Sequence, residues 1–137
     1  MTEVRLCAGL LERDGLVLLV ASRYPNLGEP LWGLPGGRPR SGELLPDALR
    51  RECSEETGLA IEVDELAYVS ESFDVSGDVH VVAHTFRIRA GGTPRLPLHD
   101  AHVVEVAWVT ADALATRIAV AVVREPLLAH LRGDVRR

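Results

Sequence analysis

The sequence predicts an α+β fold in which a β-sheet lies between helices. Long segments rich in apolar residues, such as Val4–Glu12 and Val79–Ala90, are predicted to be strands and are bounded by turn residues. Two other segments have helical patterns, one ending at Gly58 and one from Arg117 to Leu131. The 137 residues are 47% apolar, which is enough for one core, so we expect a single domain over residues 1–137.

The first part of the chain is predicted to be a strand, a turn and a returning strand. Arg13-Asp14-Gly15 separates Val4–Glu12 from Leu16–Ala21 and has turn composition. The segment Tyr24–Pro30 contains two prolines, an asparagine and a glycine, which predicts an exposed loop. A short strand around Trp32 then leads into a glycine pair that lets the backbone approach a ligand closely.

A helix is predicted to follow this glycine approach. Pro46 suits the first helical position, and Asp47 suits the positive end of the helix dipole. Gly58 is placed to end the helix in a left-handed conformation.

Beyond this helix the pattern returns to strands. Ala60–Val63 and Ala67–Phe73 are predicted to be extended, Val103–Val109 is another strand, and Thr110 or Asp112 begins a short helical turn. In the final helical segment, Pro126 is expected to kink or divide the helix. The apolar residues of that segment are predicted to cover a sheet face: Ile118, Val122, Val123, Leu127, Leu128 and Leu131.

Three acidic residues in the first helix lie where apolar residues belong. At about 100° per residue, Glu55 and Glu56 fall within about 60° of Glu52. The same side of the helix carries the apolar residues Leu45, Ala48, Leu49 and Cys53. The three carboxylates are therefore predicted to face the protein body, where unpaired charges are costly.

Two interpretations fit this arrangement. A solvated helix face would be stabilised by pairs such as Arg51 with Glu55, four residues apart. A divalent cation such as Mg²⁺ or Mn²⁺ would instead neutralise the cluster, because carboxylate oxygens are its preferred ligands. The coincidence of the acids with the apolar stripe and with the Gly36-Gly37 approach favours the metal.

The stretch from Gly37 to Leu59 resembles the signature of the Nudix hydrolase family. That signature is Gly, five residues, Glu, seven residues, and then Arg-Glu-aliphatic-x-Glu-Glu-x-Gly-aliphatic. The one departure is Cys53 at the first aliphatic position, where cysteine acts as a small hydrophobe. The matching residues are Gly37, Glu43, Arg51, Glu52, Glu55, Glu56, Gly58 and Leu59.

The resemblance implies an α/β/α sandwich with a central mixed β-sheet. It also implies hydrolysis of a phosphoanhydride bond in a nucleoside diphosphate linked to another moiety, with Mg²⁺ or Mn²⁺ as cofactor. Glu52, Glu55, Glu56 and the Gly36 carbonyl are the implied metal ligands. Gly37, Glu43, Arg51 and Gly58 are implied to support the motif, with Arg51 tying Glu43 against the helix.

The general base is left open between several residues. Glu52 is one candidate, and the family usually adds an acid from outside the helix whose position varies. Glu105 and Asp100 are the acids near the Trp108 strand, and His102 lies two residues beyond Asp100.

The resemblance leaves the substrate open as well. The chain has Asp74 where family members acting on ADP-ribose often have a proline. We therefore expect a nucleoside triphosphate pyrophosphatase, including one that removes oxidised nucleotides. An ADP-ribose or other nucleotide-sugar pyrophosphatase is the alternative, and a nucleotide-sensing module without turnover is the alternative of another class.

The composition predicts which partners the protein binds and where it is located. A formal net charge of −5 argues against binding to nucleic acid polymers or anionic membranes. Two cysteines and no segment of about 18 apolar residues predict a reducing, cytoplasmic setting without a membrane span. The expected partner is a small nucleotide, and a homodimer is left open.

Overall fold

A computed structural model describes residues 2–74, 76–96 and 102–133 of the chain. Within those residues the fold is α+β, as the sequence predicts, and it combines strands β1 to β8 with helices α1 to α3. Their bounds are β1 Thr2–Leu10, β2 Glu12–Arg13, β3 Leu16–Ser22, β4 Leu31–Gly33, β5 Gly36–Gly37, α1 Leu45–Thr57, β6 Glu62–Phe73, β7 Val79–Arg89, β8 Val103–Val109, α2 Ala111–Arg117 and α3 Ala121–Leu131.

The strands form two sheets. The first has the order β5-β1-β7-β6; β1 runs parallel to β7, and β5 and β6 run antiparallel to their neighbours. This is the mixed sheet that the family resemblance implies. The second sheet is antiparallel, with β3 paired to β2, β4 and β8.

The sheets lie between helices because neighbouring residues on a strand point to opposite faces. Leu11 and Leu18 pack in one core with Leu49 of α1. Leu10 and Leu19 pack in a second core that also contains the buried leucines and isoleucine of the C-terminal region, Leu114, Ile118, Leu127 and Leu128. Each fully buried aliphatic side chain contributes about 1.5–3 kcal/mol. The two cores make the layers of the predicted sandwich.

Helix α1 has nearly the limits that the sequence predicts. Leu44 is the N-cap, so Pro46 is the second helical residue instead of the first, and Asp47 lies in the first turn. Gly58 adopts a left-handed conformation with φ of 73°, and its N–H donates to the Ser54 carbonyl at 3.0 Å. The prediction for Gly58 is therefore confirmed.

The segment from Arg117 to Leu131 is mostly helical, as the sequence predicts, but its break does not lie at Pro126. Helix α2 ends at Arg117, and α3 begins at Ala121. Pro126 lies inside α3 and does not divide it. The chain breaks earlier, where Ile118 is fully buried and its carbonyl accepts a hydrogen bond from Arg124 at 3.0 Å.

The same break corrects the predicted apolar face of this region. Leu127 and Leu128 are buried as expected. Val122 and Val123 are instead 53% and 39% exposed, since the turn between α2 and α3 rotates the start of α3 away from the core.

The two extended segments predicted after α1 form a single strand. Strand β6 runs from Glu62 to Phe73 and pairs with β7. Its register shifts between Val63 and Leu66 and again between Leu66 and Tyr68. Such irregularities disturb the alternation of apolar residues, which is why the pattern divides the strand in two.

Candidate active site

The glycine pair lies in β5, directly against β1. Gly36 and Gly37 pair with Ala8 and Cys7. Gly36 has φ of 153°, and a Cβ there would lie 2.1 Å from the Cys7 carbonyl oxygen. Only glycine permits this approach of the two backbones, which fixes the turn in place beside α1.

Two acidic side chains of α1 reach this glycine pair. The Gly36 N–H donates a hydrogen bond to Glu56 Oε1 at 2.9 Å. Glu52 packs against Gly37 so closely that a Cβ at Gly37 would lie 2.7 Å from the Glu52 carboxyl carbon. The glycine pair and the inner face of α1 are therefore one site.

The prediction that all three carboxylates turn inward is wrong for Glu55. The Glu52 side chain is 17% exposed, whereas that of Glu55 is 43% exposed. Glu55 lies at the rim, 3.6 Å from the guanidinium of Arg40. On the helix, Glu55 lies on the opposite side of Glu52 from Glu56, beyond the edge of the buried face.

Arg51 connects the loop to the helix. Its Nε and Nη2 each donate to the Glu43 carboxylate at 3.0 Å, a two-pronged pairing, and Nη2 also donates to the Arg38 carbonyl at 3.1 Å. Its Nη1 donates to Glu52 Oε1 at 2.9 Å and to Glu55 at 3.4 Å. The predicted contact with Glu43 is present, and the long side chain also reaches two of the site's acids.

This pairing holds Glu43 in its charged form. The Arg51 hydrogen bonds, joined by the Arg40 N–H at 2.9 Å, lower the pKa of Glu43 to about 2. The Glu43 hydrogen bonds in turn raise the pKa of Arg51. The bridge is therefore intact over the whole neutral range.

We expect the Glu43→Gln variant to melt a few degrees below wild type at pH 7. Because folding lowers the pKa of Glu43, its stabilisation is present above its ordinary pKa of 4.5 and is lost as the pH falls toward 2. The difference in Tm between the two proteins should therefore shrink between about pH 5 and pH 2, as measured by circular dichroism. An equal substitution at the exposed Glu62 serves as control, and a constant difference across this range would contradict the assignment.

The donor set fits a divalent cation. Glu52 and Glu55 already share one positive group, the Arg51 Nη1. Across residues 2–74, 76–96 and 102–133, no three His, Cys, Asp or Glu side chains converge as a complete ligand set. Carboxylate oxygens with a backbone carbonyl are nevertheless the chemistry that Mg²⁺ and Mn²⁺ prefer. The residues that would hold such an ion are Glu52, Glu55, Glu56 and Gly36.

The two cysteines have packing roles next to this site. Cys7 and Cys53 are both buried, and burial raises the pKa of each thiol. They lie in the same core as Leu49. Cys53 thus replaces an aliphatic residue of the family signature as a protonated, apolar side chain.

Two of the candidate bases outside α1, Glu105 and His102, lie in or next to the second sheet. Glu105 is on β8 opposite Ala21, and His102 is exposed just before β8, with its carbonyl accepting from the Arg23 N–H at 2.7 Å. Asp100 lies outside the described residues. Glu52 is the base candidate that the structure places at the glycine pair.

Glu105 lines a cleft that the sequence does not predict. The cleft has a volume of about 440 Å³, and it is lined by Glu105, Glu29, Trp32 and Arg117 among others. The Arg117 guanidinium lies over the Trp32 indole, 4.9 Å from its centre. Arg117 and Glu29 were not predicted as site residues, because no local pattern marks a helix end or a loop acid as part of a cleft.

The chain belongs to the Nudix family. The sequence model of the NUDIX domain matches residues 2–131, which include every element described above. Its domain is that of the Nudix hydrolases, a class of enzymes that act on small nucleotide substrates and generally use divalent metals.

Curated relatives carry several different activities in their names. A MutT4 protein of Mycobacterium tuberculosis is 33% identical over 130 residues, covering 89% of this chain but only 52% of that protein. An ADP-ribose pyrophosphatase of Methanocaldococcus jannaschii is 37% identical over 57% of this chain and 46% of its own length. A CTP pyrophosphohydrolase of Escherichia coli is 33% identical over 58% of each chain.

Solved structures share the fold along almost the whole chain. The E. coli ORF135 protein is 26% identical, covers 97% of this chain and 91% of its own, and has a TM-score of 0.79. A MutT Nudix hydrolase from Burkholderia pseudomallei is 31% identical over 82% of this chain and 86% of its own, with a TM-score of 0.70.

In the part of this chain that the structure describes, no helix is long and apolar enough to cross a membrane.

Proposed function

We propose that this protein hydrolyses a phosphoanhydride bond of a nucleoside triphosphate in a Mg²⁺-dependent reaction. The observation that supports this most directly is the position of Glu52 and Glu56 against Gly36 and Gly37. Because neither glycine has a side chain, the backbone comes into close contact with both carboxylates. Membership of the Nudix hydrolases supports the same reaction class.

The negative charge of the phosphate oxygens hinders the attack of water on phosphorus. A bound divalent cation would neutralise the phosphate oxygens and lower the pKa of a coordinated water. In our proposal Glu52, Glu55, Glu56 and the Gly36 carbonyl hold that cation. Glu52 also accepts the proton of the attacking water, since its carboxylate is half-buried and Arg51 holds its Oε1 at 2.9 Å.

Arg51 and Glu43 position these groups in the proposal without touching the substrate. The two-pronged Arg51–Glu43 pair, with the bond to the Arg38 carbonyl, joins the loop after β5 to α1. Since the same guanidinium bonds Glu52 and Glu55, any shift of the loop would move both acids.

The substrate is proposed to be a triphosphate. The chain lacks the proline expected after the motif in members acting on ADP-ribose, since none occurs between Pro46 and Pro94. The relative named CTP pyrophosphohydrolase fits this choice, and oxidised triphosphates belong to the same chemical class. A nucleotide-sugar substrate is the second candidate, because another relative is named ADP-ribose pyrophosphatase.

A nucleotide panel with and without metal tests the proposal. Nucleotide products, phosphate and pyrophosphate should be measured for CTP, GTP, dGTP, 8-oxo-dGTP and ADP-ribose in Mg²⁺, in Mn²⁺ and in excess EDTA, with AMP as the product followed for ADP-ribose. We expect a triphosphate to be the best substrate and EDTA to abolish its turnover. Faster hydrolysis of ADP-ribose than of any triphosphate would show that the proposed substrate class is wrong. Nucleotide binding without any turnover would identify a sensing module instead.

A further inference from the structure

The cleft beside Glu105 is built by a row of residues across three strands. Glu105 on β8 is opposite Ala21 on β3, and Ala21 is opposite Trp32 on β4. Directly opposed residues point to the same face, and adjacent strands are about 4.8 Å apart, so Glu105 and Trp32 lie about 10 Å apart across the methyl group of Ala21. A small residue between two large ones leaves a slot.

The walls of this slot have the chemistry of a base-binding site. On one side the Arg117 guanidinium lies over the Trp32 indole, and flat groups of this kind stack on nucleobases. On the other side is the Glu105 carboxylate, with Glu29 at the entrance. Within the described residues neither acid forms an ion pair or a side-chain hydrogen bond, so both can accept N–H groups from a ligand.

The slot is also within one nucleotide's reach of the glycine pair. Strand β4 runs directly into the turn before β5, and three residues lie between Trp32 and Gly36, so their Cα atoms are at most about 14 Å apart. The two carboxylates in the slot outnumber its one guanidinium, Arg117, so its net negative charge disfavours phosphate groups. A nucleotide bound across both regions would therefore place its phosphates at Gly36 and its uncharged base in the slot.

We propose that this slot is the nucleobase subsite and that Glu105 selects bases with an exocyclic amino group. An ionised carboxylate only accepts hydrogen bonds, so it pairs with the amino group of cytosine or guanine and repels the carbonyl oxygen of uracil. This inference rests on the proposed function, and it assigns Glu105 to base recognition instead of proton transfer. The substrate class is then the amino-bearing nucleoside triphosphates.

Two matched substrate pairs test the selection. GTP and ITP differ only in the 2-amino group, so their ratio of kcat/KM isolates that contact, whereas CTP and UTP differ both in the 4-amino group and in the proton at N3. We expect the wild type to favour the amino-bearing member of each pair about tenfold or more, in line with one good hydrogen-bond contact to a base. The Glu105→Gln variant should lose most of this preference, chiefly through a higher KM for CTP and GTP.

The Glu62→Gln variant, which alters an exposed acid on β6, should keep the full preference. A wild type without preference would overturn the subsite while leaving the proposed hydrolysis intact. An equal fall in kcat for all four nucleotides in Glu105→Gln would overturn base recognition and identify Glu105 as the proton acceptor.

A binding measurement separates this inference from the proposed hydrolysis. Tryptophan fluorescence titrations with CMP and UMP require no turnover, and Trp32 lines the slot. We expect CMP to bind about tenfold more tightly than UMP and Glu105→Gln to remove the difference. Selective binding without turnover would keep the subsite and reject the hydrolysis. Equal affinity for CMP and UMP would overturn the subsite whatever the turnover.

Discussion

Replacing Glu56 with glutamine is expected to lower kcat for the preferred nucleotide by a factor of about a hundred or more, the usual effect of losing one major electrostatic contribution to a transition state. The variant keeps a side-chain oxygen that can accept the Gly36 N–H, now at 2.9 Å, so the helix and the glycine pair should remain in place. What it removes is the negative charge that we propose holds the cation. Steady-state kinetics in saturating Mg²⁺ measure the loss.

The matched control is Asp47→Asn on the same helix. Asp47 is 60% exposed and pairs with Arg50 on the outer side of α1. Exposed pairs of this kind contribute about 0–1 kcal/mol, so activity should stay near that of wild type. Both variants should melt close to the wild-type temperature. Full activity in Glu56→Gln would remove Glu56 from the site, and a large drop in Tm would mean that its role is structural.

The position of Glu56 was predictable because it depends on local periodicity. The helical repeat places Glu52 and Glu56 on the side of Leu49 and Cys53, and both are half-buried in the structure. The same repeat places Glu55 inward as well, yet it is 43% exposed. A helical wheel gives a direction but not the edge of the neighbouring sheet, which decides where burial ends.

The cleft was not predictable, since it depends on pairings between distant parts of the chain. Trp32, Ala21 and Glu105 meet only because β3 lies between β4 and β8. Arg117 joins them because the chain turns at the buried Ile118 after α2. The apolar pattern continues through that turn, so the sequence predicts a kink or division at Pro126, whereas the break lies between α2 and α3.

Alanine at Gly36 is expected to destabilise the protein by about 3 kcal/mol or more, beyond the usual range for overpacking. Its Cβ would lie 2.1 Å from the Cys7 carbonyl oxygen and 2.8 Å from the Ala8 Cα, both of them backbone atoms of the paired strand. These atoms cannot withdraw without breaking the β1–β5 pairing. Urea unfolding followed by circular dichroism measures the loss, and an unchanged midpoint would contradict this close approach.

Replacing the neighbouring Gly37 with alanine should lower the activity and leave the stability of the fold nearly unchanged. Its Cβ would meet the Glu52 carboxyl carbon at 2.7 Å, which is the end of a flexible side chain. Glu52 can swing away with little loss of stability, but it then leaves the place where we propose that it holds the cation and accepts the proton. We expect near-normal unfolding and a fall in kcat of about tenfold or more, since small misplacements of catalytic groups are costly. Gly91→Ala, where nothing lies within 4 Å of the added Cβ, is the control. Full activity in Gly37→Ala would show that the position of Glu52 does not govern the reaction. Lost activity with normal stability would show that the position of Glu52 affects the reaction without affecting the stability of the sheet.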